Sequence, residues 1–371
     1  MASTTTIPVT LNHTSYPHIL DNILQNSPWE CFLAWRTSSH EIRDRLDTHL
    51  SRHLIVTPRQ GNVEALSVTI PSSRRHPAFA NWDDGENIDE ERAMALKHIR
   101  EIVKDTKVVD LCEAVPYESF VPVAMALKDV PMVRLRRNPQ QHPFTEMKAK
   151  TRVVFTELLG QHPVTGVPIP PSASIGLVPH PVEKLVVNIR YDPGHPLLHR
   201  GHIALFEPRP PASLQQVVVK ISASRQVAAS DDQLAYAAFG MGGWLNHLAT
   251  WIMALPADTA VTIVDIDEFD PQCNGLSEMP MSKAELEEAV REIFIQATWQ
   301  LHGDLIEEQV GQLVDMTLDF KTADEYRESL GSDEQFDLET TEIAVERPHP
   351  IFWDNTDMWQ VSDDPTAADW M

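Results

Sequence analysis

Apolar residues along the first fifty positions fall three and four apart. Ile19, Leu20, Ile23 and Leu24 form one stripe after Pro17, and Phe32, Leu33, Ile42, Leu46 and Leu50 form a second. That spacing predicts two or three short helices sharing a small core. Ser27-Pro28-Trp29-Glu30 predicts a helix start, with Ser27 as N-cap, Pro28 in the first turn and Glu30 closing a capping box. The period then lapses: residues 57–88 carry Ser72-Ser73-Arg74-Arg75 and Asp83-Asp84-Gly85 and read as a linker or loop.

From residue 89 the pattern alternates. A helix is expected near 89–104, with Ala93, Leu96, Ile99 and Val103 on one face. Short β-rich runs follow at 107–111, 132–135, 152–156, 185–189, 217–221 and 261–266. Connections this long predict a mainly parallel sheet. A degenerate leucine-rich repeat and a doubly wound sheet both fit the alternation. Ser230-Asp231-Asp232-Gln233 opens a helix towards Met253, broken at Gly240-Met241-Gly242-Gly243. Ser282-Lys283-Ala284-Glu285 opens a long one through Leu301 towards Val314, and Thr322-Ala323-Asp324-Glu325 a short last one. The expected architecture is α/β: a small helical module at 13–56, a linker at 57–88, a repeat-like α/β domain at 89–332 and an acidic tail at 333–371. Eleven acidic residues stand against Arg347 in that tail. It shows no period, so it is expected to be disordered.

Charge and composition then remove whole classes of function. Lys plus Arg is 30 and Asp plus Glu is 54, a net charge of −24. That argues against nucleic-acid binding, which needs concentrated Lys and Arg. The three cysteines, Cys31, Cys112 and Cys273, make no CxxC pair, which suits a reducing compartment, cytoplasmic or nuclear. No apolar run approaches the roughly 20 residues that span a bilayer, and the first twenty residues lack a basic, apolar leader. No membrane contact and no cofactor are expected.

Catalytic signatures are sparse: HExxH, GxSxG, the P-loop and the protein-kinase set are all missing. His195, His199 and His202 have a metal-like spacing, but Pro193, Gly194, Pro196 and Gly201 make a polar connection between strands the better reading. The run Val261-Thr262-Ile263-Val264-Asp265-Ile266-Asp267 ends a strand in DxD and resembles the nucleophile motif of haloacid-dehalogenase-like phosphatases. This is an alternative reading in which Asp265 attacks and Asp267 acts as acid and base. A basic cluster (Arg134, Arg136, Arg137, Lys148, Lys150, Arg152) is expected mainly to neutralise neighbouring acids.

The stretch from Tyr16 to Val56 resembles an F-box. Tyr16-Pro17 stands for that family's opening pair, Ile19 to Leu24 supply its first stripe, and Pro28 begins its second helix. Phe32, Leu33 and Trp35 make the apolar run, Ser39 and Ile42-Arg43 match the closing positions, and His53 to Val56 follow as a short strand. An F-box ahead of a degenerate repeat-like domain is the layout of F-box/leucine-rich-repeat proteins. The resemblance implies an adaptor that performs no chemistry. Pro17, Ile19, Leu20, Ile23, Leu24, Pro28, Phe32, Leu33 and Trp35 would meet a Skp-type partner of a cullin ubiquitin ligase, while the α/β domain holds a protein substrate. A repeat-type interaction protein without a ligase link is the other non-enzymatic reading.

Overall fold

The β-rich runs assemble side by side. In the computed structural model, residues 18–19, 22–23, 27–59, 62–71, 76, 79, 97, 99–112, 124–136, 147–158, 182–191, 212–223, 248–254, 259–269 and 280–342 are described. Nine strands form one sheet: β1 (His53–Arg59), β2 (Asn62–Thr69), β3 (Val108–Cys112), β4 (Met132–Arg136), β5 (Thr151–Leu158), β6 (Lys184–Tyr191), β7 (Gln216–Ala223), β8 (Ala260–Val264) and β9 (Leu318–Lys321). Their order is β2-β1-β3-β4-β5-β6-β7-β8-β9. Only β1 and β2 pair antiparallel; every other neighbour is parallel.

Valine-rich strands buried on both faces favour this arrangement. Each strand starts by hydrogen bonding to the end of the previous lead-in: Val108 N donates to Arg52 O, Met132 N to Lys107 O, Thr151 N to Pro131 O and Lys184 N to Lys150 O. From β3 to β9 the order advances by one strand at a time and never reverses. The order turns back once, at β1, through the antiparallel hairpin to β2 and not through a parallel crossover.

The two faces differ. On the first, Val109, Leu111, Val133, Leu135, Val154, Leu185, Val187, Val217, Val219, Val261 and Ile263 join the main core. Helical residues cover it: Ile99, Ile102 and Val103, then Leu248 to Met253, and the inner side of α3 (Lys283–Leu301). On the second face Val108, Met132, Val153, Phe155, Val186, Val218 and Val264 pack beneath Tyr326 and Phe336. These two aromatics come from α5 (Ala323–Leu330) and α6 (Asp333–Thr340), which follow β9. The N-terminal pair α1 (Trp29–Arg36) and α2 (His40–Leu50) precedes β1, and α4 (Glu307–Thr317) lies between α3 and β9.

Several sequence-based boundaries move. Residues 53–56 are not part of a separate helical unit: they pair with β3 inside the sheet. The expected linker begins instead with a hairpin of β1 and β2. Leu66, Val68 and Ile70 alternate inward, so the strand signal was present within a polar composition. Pro28, not Ser27, caps α1, and the Ser27 hydroxyl donates back to Ile23 O. The helix opened by Ser282 stops at Leu301, where His302-Gly303-Asp304 turn the chain and α4 starts afresh. The boxes at Ser282–Glu285 and Thr322–Glu325 form as expected. The acidic tail does not begin at Asp333. That residue opens α6, capped by the Ser332 hydroxyl, which accepts from Gln335 N. Residues 343–371, with Trp353, Trp359 and Trp370, lie outside the described residues, as do the Ser230 start and the histidines at 195–202.

Candidate functional site

The N-terminal pair is built on one fully buried leucine. Leu46 of α2 carries Phe32, Trp35 and Ile42, all only partly buried, around it. Arg36 clamps α1 to α2 by a two-pronged ion pair to buried Asp47, 2.8 and 3.1 Å, the geometry in which guanidinium and carboxylate bind most tightly. His76 accepts the end of α2 into the sheet, with its Nε2 lying 3.1 Å from Ser51 Oγ. Of the F-box-like residues, Ile19 is 39% exposed. Ile23, Phe32 and Trp35 are half-buried, and Pro28 is exposed at the helix start. Pro17, Leu20, Leu24 and the Leu33 side chain lie outside the described residues. A pair of helices with so little interior leaves apolar surface facing outward.

The second concentration of chemistry lies on the sheet's second face. Strand alternation places His53, Asp110, Arg134, Arg136, Lys184, Asn188 and Lys220 there among the valines. Asp110 is 0% exposed. Arg134 Nε lies 3.1 Å from its Oδ1 and His53 Nε2 lies 3.3 Å from the same oxygen. Neither contact is aligned as a hydrogen bond, so Arg134 and Asp110 form a charge pair held by position. The Arg134 guanidinium also stacks over the Phe155 ring at 5.0 Å and donates to Thr341 O.

The remaining polar groups reach the C-terminal helices. Lys184 Nζ donates to Glu339 Oε1 at 2.6 Å, Gln335 Nε2 donates to the same oxygen at 2.7 Å, and the Tyr326 hydroxyl donates to Glu339 Oε2. Glu339 is 1% exposed. Burial, reinforced by the Glu339 charge, pushes the Tyr326 phenol up, so it stays a donor. Asn188 Nδ2 donates to Glu339 O at 2.7 Å, and Arg136 pairs with Glu342 at 3.6 Å. Four cations of the sheet (Arg134, Arg136, Lys184, Lys220) therefore meet four carboxylates (Asp110, Glu342, Glu339, Asp265).

The DxD strand end is part of this fastening. Asp265 sits in the left-handed region, φ 57°. One carboxylate oxygen accepts from Lys220 Nζ and the other from Ala323 N, each at 2.7 Å. Asp265 thus fixes the start of α5, while Asp267 points to solvent. The basic cluster divides by strand alternation: Arg134 and Arg136 face α6, Lys148 and Lys150 are exposed, and Arg152 is buried on the opposite face. Burial pushes Arg152 down to about 10, and its Nη1 has no hydrogen-bond partner.

Asp110, Lys184, Asn188 and Glu339 were not picked out from the sequence. The signal for the first three was a charged or amide residue at period two inside otherwise aliphatic strands, as in Val-Val-Asp-Leu and Lys-Leu-Val-Val-Asn-Ile, whereas Glu339 lies on α6 in an acidic stretch. Among the described residues, no three His, Cys, Asp or Glu side chains converge as a metal set, and no helix is long and apolar enough to cross a membrane. No family model, curated protein or solved structure matches the chain.

Proposed function

We propose that the chain is an F-box-like, leucine-rich-repeat-like adaptor of a cullin-type ubiquitin ligase. Its N-terminal helices meet a Skp-type partner, and its α/β domain recruits a protein substrate. The observation that carries this reading is the small helix pair itself. Among the described residues its small apolar cluster centres on Leu46, with Phe32 and Trp35 only half-covered and Ile19 exposed. Interfaces draw their binding energy from such aromatic and aliphatic anchors. The serial parallel sheet supports it further, because among the described residues its second face is met by α5 and α6, which follow β9, and by no helix that connects one strand to the next. That face is where a substrate would be held. Asp265 is engaged on both oxygens, so the phosphatase alternative gains no support from it.

The test is capture of a purified Skp-type adaptor by the full chain and by an Ile19→Asp/Ile23→Asp variant. Charge placed in a dry interface costs several kcal/mol, so the variant is expected to lose capture with an unchanged melting temperature. Wild type failing to capture the adaptor, or the variant capturing it equally well, contradicts the reading.

A further inference from the structure

The way α6 is held suggests that it is an occupant rather than a layer of the core. It has eight residues, below the roughly 12–15 at which an isolated helix becomes even marginally stable. Only Phe336 and Glu339 of α6 are fully buried. Leu338 packs half-buried against the same apolar cluster as Phe336, and the rest of the helix's hold on the sheet is polar: Lys184 to the Glu339 carboxylate, Asn188 to Glu339 O, Arg134 to Thr341 O and Arg136 to Glu342. One aromatic anchor, one buried carboxylate and two backbone carbonyls are how a short linear segment is recognised on a preformed surface.

The chain changes character at Gly331. Its φ of 66° ends α5 in the left-handed conformation, where glycine carries no Cβ penalty. Up to that point α5 is tied into the fold by β9, by its capping box and by Asp265 on Ala323 N. Beyond it, residues 332–342 are held by the contacts just named, by the Tyr326 hydroxyl on Glu339, by Phe336 against the Tyr326 ring, by Leu338 at the edge of the same cluster, and by Arg327, which stacks on the Phe336 ring at 4.4 Å and lies 3.8 Å from Asp333. The receiving groups stand on β4, β5 and β6, whose parallel register fixes their spacing.

We infer that residues 332–342 are a tethered stand-in for substrate. The surface formed by Arg134, Arg136, Phe155, Lys184 and Asn188 docks an acidic protein segment with an aromatic residue three positions before a glutamate, and an incoming segment must displace the chain's own copy. This rests on the adaptor reading and adds the chemistry and regulation of its substrate face. Charge complementarity selects the occupant: with α6 away, the surface presents two guanidiniums and an ammonium against one buried carboxylate, Asp110, beside an aromatic ring. Tethering gives the internal copy an effective concentration in the millimolar range. It therefore screens out weak competitors and yields to tighter ones.

The experiment uses the full chain and a labelled synthetic peptide of residues 332–342, read by fluorescence anisotropy. A Phe336→Ala/Glu339→Gln variant weakens the internal copy and is expected to bind the peptide at least tenfold more tightly than wild type. Adding Lys184→Ala is expected to remove that binding, as is a peptide carrying the same two changes. Equal binding to wild type and variant overturns the inference. So does a variant that melts cooperatively yet binds nothing, or one that loses cooperative melting, since α6 would then be core. Capture of the Skp-type adaptor, measured on the same proteins, reports only on the N-terminal helices, so the two readings fail separately.

Discussion

The two faces of this sheet are built from the same strands and solve burial differently. On the first face, aliphatic side chains meet the inner sides of crossover helices, and Arg152 is the one charged side chain that the described strands bury there. On the second, valines share the surface with Asp110, Arg134, Arg136, Lys184 and Asn188. Apolar contact is non-directional and tolerant of what supplies it. Paired charges in a dry environment are not: each needs its partner in place, and losing one strands the other. The first face therefore holds the fold, whereas the second specifies which segment lies on it.

The sharpest way to break that comparison is to strand a charge. Asp110→Ala leaves Arg134 buried without its carboxylate and is expected to cost about 3–5 kcal/mol of stability in urea unfolding, although no large volume is removed. On the first face, Leu185→Ala is expected to cost about 3 kcal/mol by cavity formation, within the range for buried leucines. The two diagnoses separate with a second substitution: adding Arg134→Met should recover most of the Asp110→Ala deficit and leave that of Leu185→Ala unchanged.

Arg152 tests the rule from the other side. It is a charge placed in the aliphatic face, with no ion pair reaching it among the described residues. Arg152→Met is expected to stabilise the chain by about 1–2 kcal/mol. The sign with pH follows from its lowered value. Folding penalises the charged form, so the penalty is full below about 10 and is relieved as pH rises through that value. The advantage of the methionine variant should shrink accordingly.

The smallest effect belongs to the helix caps. Hydrogen bonds from Ser282 hold Glu285 below the usual carboxylate range, and those from Thr322 do the same for Glu325. A carboxylate depressed in the folded state contributes stability above its unfolded value and loses it as pH falls through the folded one. Glu285→Gln and Glu325→Gln should therefore lower the melting temperature slightly at neutral pH and leave it unchanged in acid. Melts at the two pH values check this.

Much of the fold could be read from local pattern. The runs beginning near residues 107, 132, 152, 185, 217 and 261 became parallel neighbours in chain order, and two capping boxes formed where Ser282 and Thr322 stand. Composition misled where it was averaged over long windows. β2 alternates cleanly at Leu66, Val68 and Ile70 inside a polar stretch, and α6 lies at the head of an acidic one. Neither helix propensity nor charge count could reveal that Glu339 is received by Lys184, because the partners are 155 positions apart and meet only through sheet register. Strand alternation marked the polar positions of the second face, but their partners were a tertiary fact.

Amide hydrogen exchange on the full chain tests most directly the claim that the second face carries an exchangeable occupant. The account predicts that amides of residues 333–340 exchange through a local opening, many-fold faster than those of β6 and β7, and that the strands keep their protection while it opens. Exchange of 333–340 only together with β6 and β7, at the rate of global unfolding, would contradict it.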